Sequence, residues 1–222
     1  MSEKNLLASI DGRRLNGYVL HVSNMSRGRF IEETNFELYL KTLEGETSVN
    51  PVVKGKYFSG RGEFYKPWLE IAYDNLVKFG SSKIVDLSER GLDEKLFNYL
   101  SALLPLGAHI MVFYLNHEET RKGLEHGVPA PATPIGYLLW KSGFTWFKDW
   151  YFAEGFWEGD VKLQGSKPLN QETRRKELLE MGKELNRFLQ EGREGKSFLD
   201  ARKRAGEVLK RIENEIPEIR RI

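Results

Sequence analysis

The order of hydrophobic and polar positions predicts a run of β-strands in the first third of the chain. Within residues 36–43, apolar Phe36, Leu38 and Leu40 alternate with more polar neighbours, as in a half-buried strand. Similar segments are separated by short turns that contain glycine. We therefore predict an antiparallel meander, with a loop or short helical turn at residues 25–35 and strands at residues 18–24, 36–43, 52–58 and 68–76.

The second third of the chain mixes strand and helix patterns. Leucine recurs at helical spacing through residues 93–104, and a continuous apolar run fills residues 108–115. Such a run is typical of a central strand that is covered on both faces. This succession indicates an α+β fold, in which helices flank a mixed, largely antiparallel central sheet. The other predicted elements are a strand at 83–87, helices at 116–126 and 135–141, and an aromatic strand from Thr145.

The last quarter predicts a helical hairpin. Residues 172–190 and 197–216 each carry an apolar stripe at helical spacing, and a glycine-containing turn joins them. We predict one domain over residues 1–169 and a two-helix extension over residues 170–222. The two stripes need a surface to cover. They can pack on the sheet or form a homodimer with a second copy of the chain, and the alternative is a charged, solvated helix pair.

Composition and charge narrow the classes of function. The chain has 222 residues, 34 basic and 32 acidic side chains, a net charge of +2 and no cysteine. This balance of charge gives no overall indication of binding to nucleic acid or an anionic membrane. A local basic patch is still compatible with it. No apolar run approaches the roughly 18 residues that span a bilayer, so we expect a cytoplasmic protein. Abundant Lys, Arg and Glu with only three Gln residues is typical of a heat-adapted source.

Candidate binding residues concentrate in the aromatic segment 137–168. Ten aromatic residues, including four of the five tryptophans, lie between Tyr137 and Trp157, and charged residues are interspersed among them. This composition predicts an aromatic-walled pocket with a few polar groups, which would take a small-molecule substrate. The alternative is that the aromatic side chains fill a core while the charges face water. The candidate substrate-binding residues are Trp68, Trp146, Asp149, Trp150, Phe152 and Trp157.

Glu70 is the candidate general base. In a strand it shares a face with Trp68 and Ala72, and a carboxylate that is desolvated beside tryptophan suits proton abstraction. The alternative is that this face is simply the wet side of an antiparallel sheet.

Several common motifs are absent from the sequence. There is no dinucleotide-binding fingerprint, no phosphate-binding loop with the spacing GxxxxGK and no GxSxG element. His117 is followed four residues later by Arg121, so the paired histidines of a zinc-protease helix are missing. We predict no metal site. His109, at the start of an apolar strand, is interpreted as a hydrogen-bonded structural histidine.

The predicted order of elements resembles the GCN5-related N-acetyltransferase superfamily. The closest local match is Leu139-Trp140-Lys141-Ser142-Gly143-Phe144, which is similar to the superfamily's Tyr-Glu-Lys-Leu-Gly-Phe segment. The resemblance implies an enzyme that transfers an acyl group from an acyl-coenzyme A thioester to an amine. Glu70 would remove a proton from the attacking amine, and Tyr137 would protonate the departing thiolate.

The same resemblance directs attention to residues 78–93. The superfamily's glycine-rich loop for coenzyme A should lie there, and this chain offers Gly80 and the pair Arg90-Gly91. Arg90 and Gly91 are therefore the candidate cofactor-binding residues. A loop that holds a pyrophosphate through backbone amides normally needs more glycine. The sparse glycine favours the alternatives, which are a non-catalytic module binding a small molecule, a peptide or unpaired bases, and a dimerising structural protein.

A second resemblance concerns an uncharacterised prokaryotic family, the domain of unknown function numbered 1122. It is carried by residues 131–137, 146–152 and 162–165. This resemblance implies a fold relative and no established activity.

Overall fold

The structure is a computed structural model that describes residues 18–27, 31–40, 47–60, 66–73, 76–79, 83–87, 92–113, 117–151, 161–192 and 195–221. The chain forms two compact units, with the division between Leu104 and Pro105. Both units contain antiparallel strands and α-helices, so the predicted α+β class is confirmed.

The first unit is built on a four-stranded antiparallel sheet in the order β1-β2-β3-β4. Along β2, buried and half-buried side chains alternate because successive residues of a strand point to opposite faces. The predicted meander is therefore confirmed. The strands are β1 Tyr18–Arg27, β2 Ile31–Leu40, β3 Val53–Gly60 and β4 Trp68–Tyr73.

The prediction of a loop or helical turn at residues 25–35 is wrong. β1 continues to Arg27 and β2 begins at Ile31, so the two strands pair over most of this segment. The inward positions at this end of β2 are Glu32 and Thr34, only 5 % and 6 % exposed. Because the buried residues are polar here, the alternation of hydrophobicity that marks a strand disappears from the sequence.

A hairpin and one helix complete the first unit. β5 Leu76–Phe79 pairs with β6 Lys83–Asp86 in a separate two-stranded sheet. Helix α1, Leu92–Ala102, buries Leu96, Phe97 and Leu100 completely. The ring of Phe97 meets Tyr73 of β4 edge-on at 5.2 Å, so α1 packs against the buried face of the sheet.

The second unit contains a three-stranded antiparallel sheet in the order β7-β9-β8. β7 alternates buried and half-buried positions. The sequence predicts that both faces of this strand are buried, but only one face is fully buried. The strands are β7 His109–Phe113, β8 Trp146–Tyr151 and β9 Val161–Ser166.

Two short helices connect β7 to β8. α2 is Glu118–Glu125 and α3 is Pro134–Lys141, with a 3-10 turn between them. α3 ends in a Schellman motif, in which the amides of Gly143 and Phe144 donate to the carbonyls of Trp140 and Leu139. Gly143 has a φ of +94°, which glycine adopts without strain. A helix end therefore accounts for the Lys-x-Gly-Phe sequence.

The C-terminal hairpin consists of α4 Gln171–Gln190 and α5 Lys196–Glu215. Its apolar stripes form one core with residues from the 3-10 turn, α3 and β8. The helices thus cover a surface of their own unit, whereas a homodimer and a boundary at residue 169 stay predictions. Leu199, which the helical spacing assigns to the apolar stripe of α5, is 68 % exposed. The fully or nearly buried positions are Leu178, Met181, Leu185, Phe188, Ala205, Val208, Leu209 and Ile212.

Candidate ligand-binding site

Two aromatic residues at the start of β8 line a cleft against α4. Trp146 lies opposite Ser166 of β9, and Phe147 lies opposite Gly165. Neighbouring side chains of a strand point to opposite faces. Phe147 packs against the helical core, whereas Trp146 is 40 % exposed. A tryptophan ring is therefore open to solvent at the edge of the cleft.

The cleft has a volume of about 590 Å³. Pockets for small organic ligands commonly have about 300–1,000 Å³, so a small molecule fits. The walls come from β8, from the residue before it, from the 3-10 turn and from one face of α4. The lining residues are Pro131, Thr145, Trp146, Phe147, Thr173, Lys176, Glu177, Glu180, Met181, Lys183, Glu184 and Arg187.

Thr145 ties the sheet to α4. Its hydroxyl donates a hydrogen bond of 2.5 Å to the Glu177 carboxylate, and its amide donates to the Ser166 carbonyl at 3.0 Å. Only 3 % of Thr145 is exposed. A buried hydroxyl is costly without a partner, so this bond fixes the position of α4 beside β8.

Six charged side chains line the cleft, three basic and three acidic. Some are already engaged: Lys183 pairs with Glu180 at 3.0 Å, and Glu177 accepts from Thr145. Within the described ranges, the side chains of the remaining three make no hydrogen bond or ion pair. These three are Lys176, Glu184 and Arg187.

Glu184 is the cleft carboxyl whose protonation is perturbed. Part of the residue is exposed, and the desolvation of its carboxyl raises its pKa above the ordinary value. The nearby Arg187 guanidinium offsets part of that rise. The carboxyl is therefore protonated over a wider pH range than an ordinary glutamate.

A polar cluster lies on the same sheet, across the strands from Trp146. The Nδ1 atom of His109 and the hydroxyl of Ser166 are 2.7 Å apart, and the Gln164 amide lies 3.5 Å from that hydroxyl. Ser166 and Gln164 are 7 % and 8 % exposed. The prediction that His109 is hydrogen-bonded is confirmed. Its partner Ser166 could not be identified from the sequence, because the two residues are 57 positions apart.

Glu70 lies on β4 of the first unit and is half-buried. The indole N–H of Trp68 donates to its carboxylate over 3.4 Å, and the Trp68 ring stacks on Phe58 at 4.6 Å. Trp68 and Glu70 are thus brought together as predicted from their spacing. Their face of the strand is also its more exposed one, with exposed Ala72 beside them. The role of Glu70 as a base stays a prediction.

Tyr137 lies on α3 in the second unit, where its hydroxyl donates a hydrogen bond to Glu207 of α5. Its ring stacks on Trp140 at 5.9 Å, and the Lys141 ammonium lies 5.3 Å from the ring centre. Tyr137 therefore joins α3 to α5. Its role as a proton donor stays a prediction.

The structure describes only some of the other candidate site residues. Asp149 is exposed on β8, opposite Leu163, and Trp150 follows it in the strand. Phe152 and Trp157, and the cofactor candidates Arg90 and Gly91, lie outside the described residues.

His117 and His126 have local structural contacts. His117 caps α2 by accepting from the Thr120 amide, and the His126 ring donates to the Lys122 carbonyl over 2.6 Å. Among the residues that can be described, no three of the types that bind metal ions lie together. The prediction about metals stays a prediction. No described helix combines the length and apolar character needed to cross a membrane.

Comparisons with known proteins place the chain in a family without assigning it an activity. A crystal structure of a protein of unknown function from Aquifex aeolicus VF5 is similar, with a TM-score of 0.67 and 28 % sequence identity. The match covers 94 % of this chain and 99 % of that one. No curated protein matches. A family model matches residues 16–192, so the chain belongs to the family described as protein of unknown function (DUF1122).

Proposed function

We propose that this protein binds a small, planar, amphoteric molecule in the cleft between β8 and α4. The observation that carries the proposal is an open cleft of about 590 Å³ whose lining combines the exposed Trp146 with Lys176, Glu184 and Arg187. An aromatic surface provides contact area at low entropic cost, and unpaired charges fix the orientation of a ligand.

The charges of the cleft indicate the class of ligand. Three basic and three acidic side chains line it, so it has no excess charge of either sign. A ligand with several phosphates would meet three carboxylates, at a cost in like-charge repulsion. A ligand with one acidic and one basic group could pair with Arg187 and Glu184 together. An aromatic amino acid or a similar zwitterion has these properties.

The proposal is tested by a nuclear magnetic resonance titration of the indole-labelled protein with a panel of planar zwitterions. We expect a subset to shift the Trp146 indole resonance in a saturable way. Calorimetric titration with a ligand from that subset compares the variants, because Trp146→Ala lacks the reporting indole, and this substitution should weaken binding at least about tenfold, which is ~1.4 kcal/mol. The matched control is Trp68→Ala, which removes a tryptophan from the other unit and should leave binding unchanged. No shift at millimolar ligand, or equal effects of both substitutions, would reject the proposal.

An acyltransferase is the second candidate function, and the acetyltransferase-like scaffold belongs to this proposal. The order of elements supports it. An antiparallel meander is followed by a helix, a strand, a helix ending in Lys-x-Gly-Phe and further strands. The hydrogen bond between Trp68 and Glu70 also supports it, because Glu70 is held in a defined position from which it would accept a proton.

The start of α1 weighs against coenzyme A. Asp93 is only 8 % exposed, and its carboxylate accepts from the Glu94 amide at 2.6 Å. Two acidic residues in the first turn oppose a pyrophosphate at the helix N-terminus, which otherwise favours anions. Calorimetric titration with acetyl-coenzyme A tests this candidate directly. Saturable micromolar binding would support it, and a flat isotherm at millimolar ligand would reject it.

A further inference from the structure

A second cavity in the C-terminal unit lies where three helices end. It has a volume of about 260 Å³ and is bounded by the last turn of α3, the first turn of α4 and the last turns of α5. We call it the basic cavity, and its charged lining residues are Lys141, Arg174, Arg211 and Glu215.

The basic cavity has an excess of positive charge. Its single carboxylate, Glu215, accepts two hydrogen bonds from Arg174, at 2.6 and 2.9 Å. That bidentate pair neutralises both members and lowers the pKa of Glu215. The lining thus holds three basic side chains and one carboxylate, and the Arg211 guanidinium is left without a lining carboxylate to balance it.

Arg211 is arranged to receive an anion. Its guanidinium carbon lies 5.4 Å from the centre of the Trp140 ring. A cation–π contact restrains the guanidinium and uses none of its N–H donors. In the part of the chain that the structure describes, the Arg211 side chain has no hydrogen-bond or ion-pair partner. A planar donor edge of this kind matches two oxygens of one tetrahedral anion.

The end of α3 leaves room for that anion. An open helix C-terminus would repel an anion through its free carbonyls. Here the carbonyls of Leu138, Leu139 and Trp140 accept hydrogen bonds from the Ser142, Gly143 and Phe144 amides. A Cβ placed on Gly143 would meet nothing within 4 Å, so there is open space beside this turn.

We propose that the basic cavity binds a phosphate group, as inorganic phosphate or as a phosphate monoester, with Arg211 as its main contact. The site does not depend on the cleft at Trp146, although Thr145 lines both. Trp146→Ala therefore leaves phosphate binding intact, which separates the two proposals.

Calorimetric titration of the full chain with sodium phosphate and with glycerol phosphate tests the proposal, at an ionic strength held constant with sodium chloride. We expect saturable binding that Arg211→Gln weakens at least about tenfold. The matched control is Lys210→Gln, which removes the same charge from the neighbouring exposed position outside the cavity and should change binding less than about twofold. Tighter binding of glycerol phosphate identifies a monoester as the ligand, and otherwise the ligand is free phosphate.

A third variant keeps the test valid if Arg211→Gln impairs folding. Arg211→Lys retains the charge and loses the planar donor edge, so we expect weakened binding here as well. Equal weakening by the Arg211→Gln and Lys210→Gln variants, full binding by Arg211→Lys, or a flat isotherm for both anions at about 10 mM would overturn the proposal.

Discussion

An indole and a carboxylate share a surface in each of the two units. The first unit has Trp68 with Glu70, and the second has Trp146 with Glu184. In the first, the indole N–H donates to the carboxylate itself. In the second, the Glu184 carboxyl has no hydrogen-bond or ion-pair partner among the described residues, and desolvation raises its pKa.

The charged side chains around the two pairs also differ in whether they have partners. On the face of Glu70, lysines of β3 pair across the strands with glutamates of β2, Lys56 with Glu33 at 2.9 Å and Lys54 with Glu37 at 3.6 Å. Such a face already satisfies its own charges. In the cleft, Lys176 and Arg187 make no side-chain hydrogen bond or ion pair with any described residue, so a ligand could use their charges. The difference teaches that pairing, more than composition, distinguishes a binding surface from a solvated one.

The largest expected effect tests whether α4 has two distinct faces. Leu185 is fully buried in the helical core, and its neighbour Glu184 lies in the cleft. Leu185→Ala should lower the free energy of unfolding by about 2–5 kcal/mol because it leaves a cavity. Glu184→Gln is the control, with an expected change of at most about 0.5 kcal/mol at neutral pH. Chemical denaturation measures both, and similar losses would contradict the assignment of faces.

The next effect concerns the attachment of α4 to the sheet. Thr145→Val removes the hydroxyl that donates to Glu177 and should cost about 1–3 kcal/mol of unfolding free energy. Thr173→Val is a matched control, since Thr173 lines the same cleft and its hydroxyl makes no hydrogen bond within the described residues. If both substitutions have the same effect in thermal denaturation, the Thr145–Glu177 bond does not fix the helix.

A smaller effect is expected on the first unit. Trp68→Phe keeps an aromatic ring against Phe58 and removes the donor to Glu70. The free energy of unfolding should fall by no more than about 0.5–1.5 kcal/mol, because the hydrogen bond is long and partly exposed. Urea denaturation measures it. A larger loss would mean that this pair is more buried than its geometry indicates.

The smallest effects are two pH dependences of opposite sign. The folded pKa of Glu184 is raised above the unfolded value of 4.5, so its contribution to stability is present below that value and lost as the pH rises through the folded pKa. Glu215 has a lowered pKa because Arg174 binds it, so its contribution is present above pH 4.5 and lost as the pH falls.

Thermal denaturation between about pH 3 and pH 8 separates the two cases. Glu184→Gln should be more stable than the parent at pH 7 and similar to it at pH 3. Glu215→Gln should be less stable at pH 7, by about 1 kcal/mol or less, and again similar at pH 3. Parallel curves for the two variants would show that the two carboxyls have the same environment.

The fold could be predicted wherever local patterns coincide with burial. The strand at Phe36 and the two C-terminal helices follow from alternation and from helical stripes. The pairing of β1 with β2 near Glu32 and Thr34 could not be predicted, because polar residues point inward there and backbone pairing outweighs propensity. The pattern predicts a helix that ends at Lys141, as observed, and Gly143 caps this helix.

The candidate site was predictable on one side only. The aromatic segment indicated Trp146, because tryptophans so close together are uncommon. The other wall could not be found, since Lys176, Glu184 and Arg187 look in the sequence like the solvated face of an ordinary helix. Contacts such as Thr145 with Glu177 and Arg211 with Trp140 depend on tertiary packing, over separations that no local pattern encodes.

The most direct test of the ligand-binding cleft is a crystallographic soak with planar zwitterions of the size of an aromatic amino acid. We predict electron density between β8 and α4, with the ligand ring against Trp146 and its charged groups toward Glu184 and Arg187. The cleft must be open to solvent in the crystal, and ligand bound elsewhere on the protein would show that the soak reached it. An empty cleft under these conditions would contradict the account.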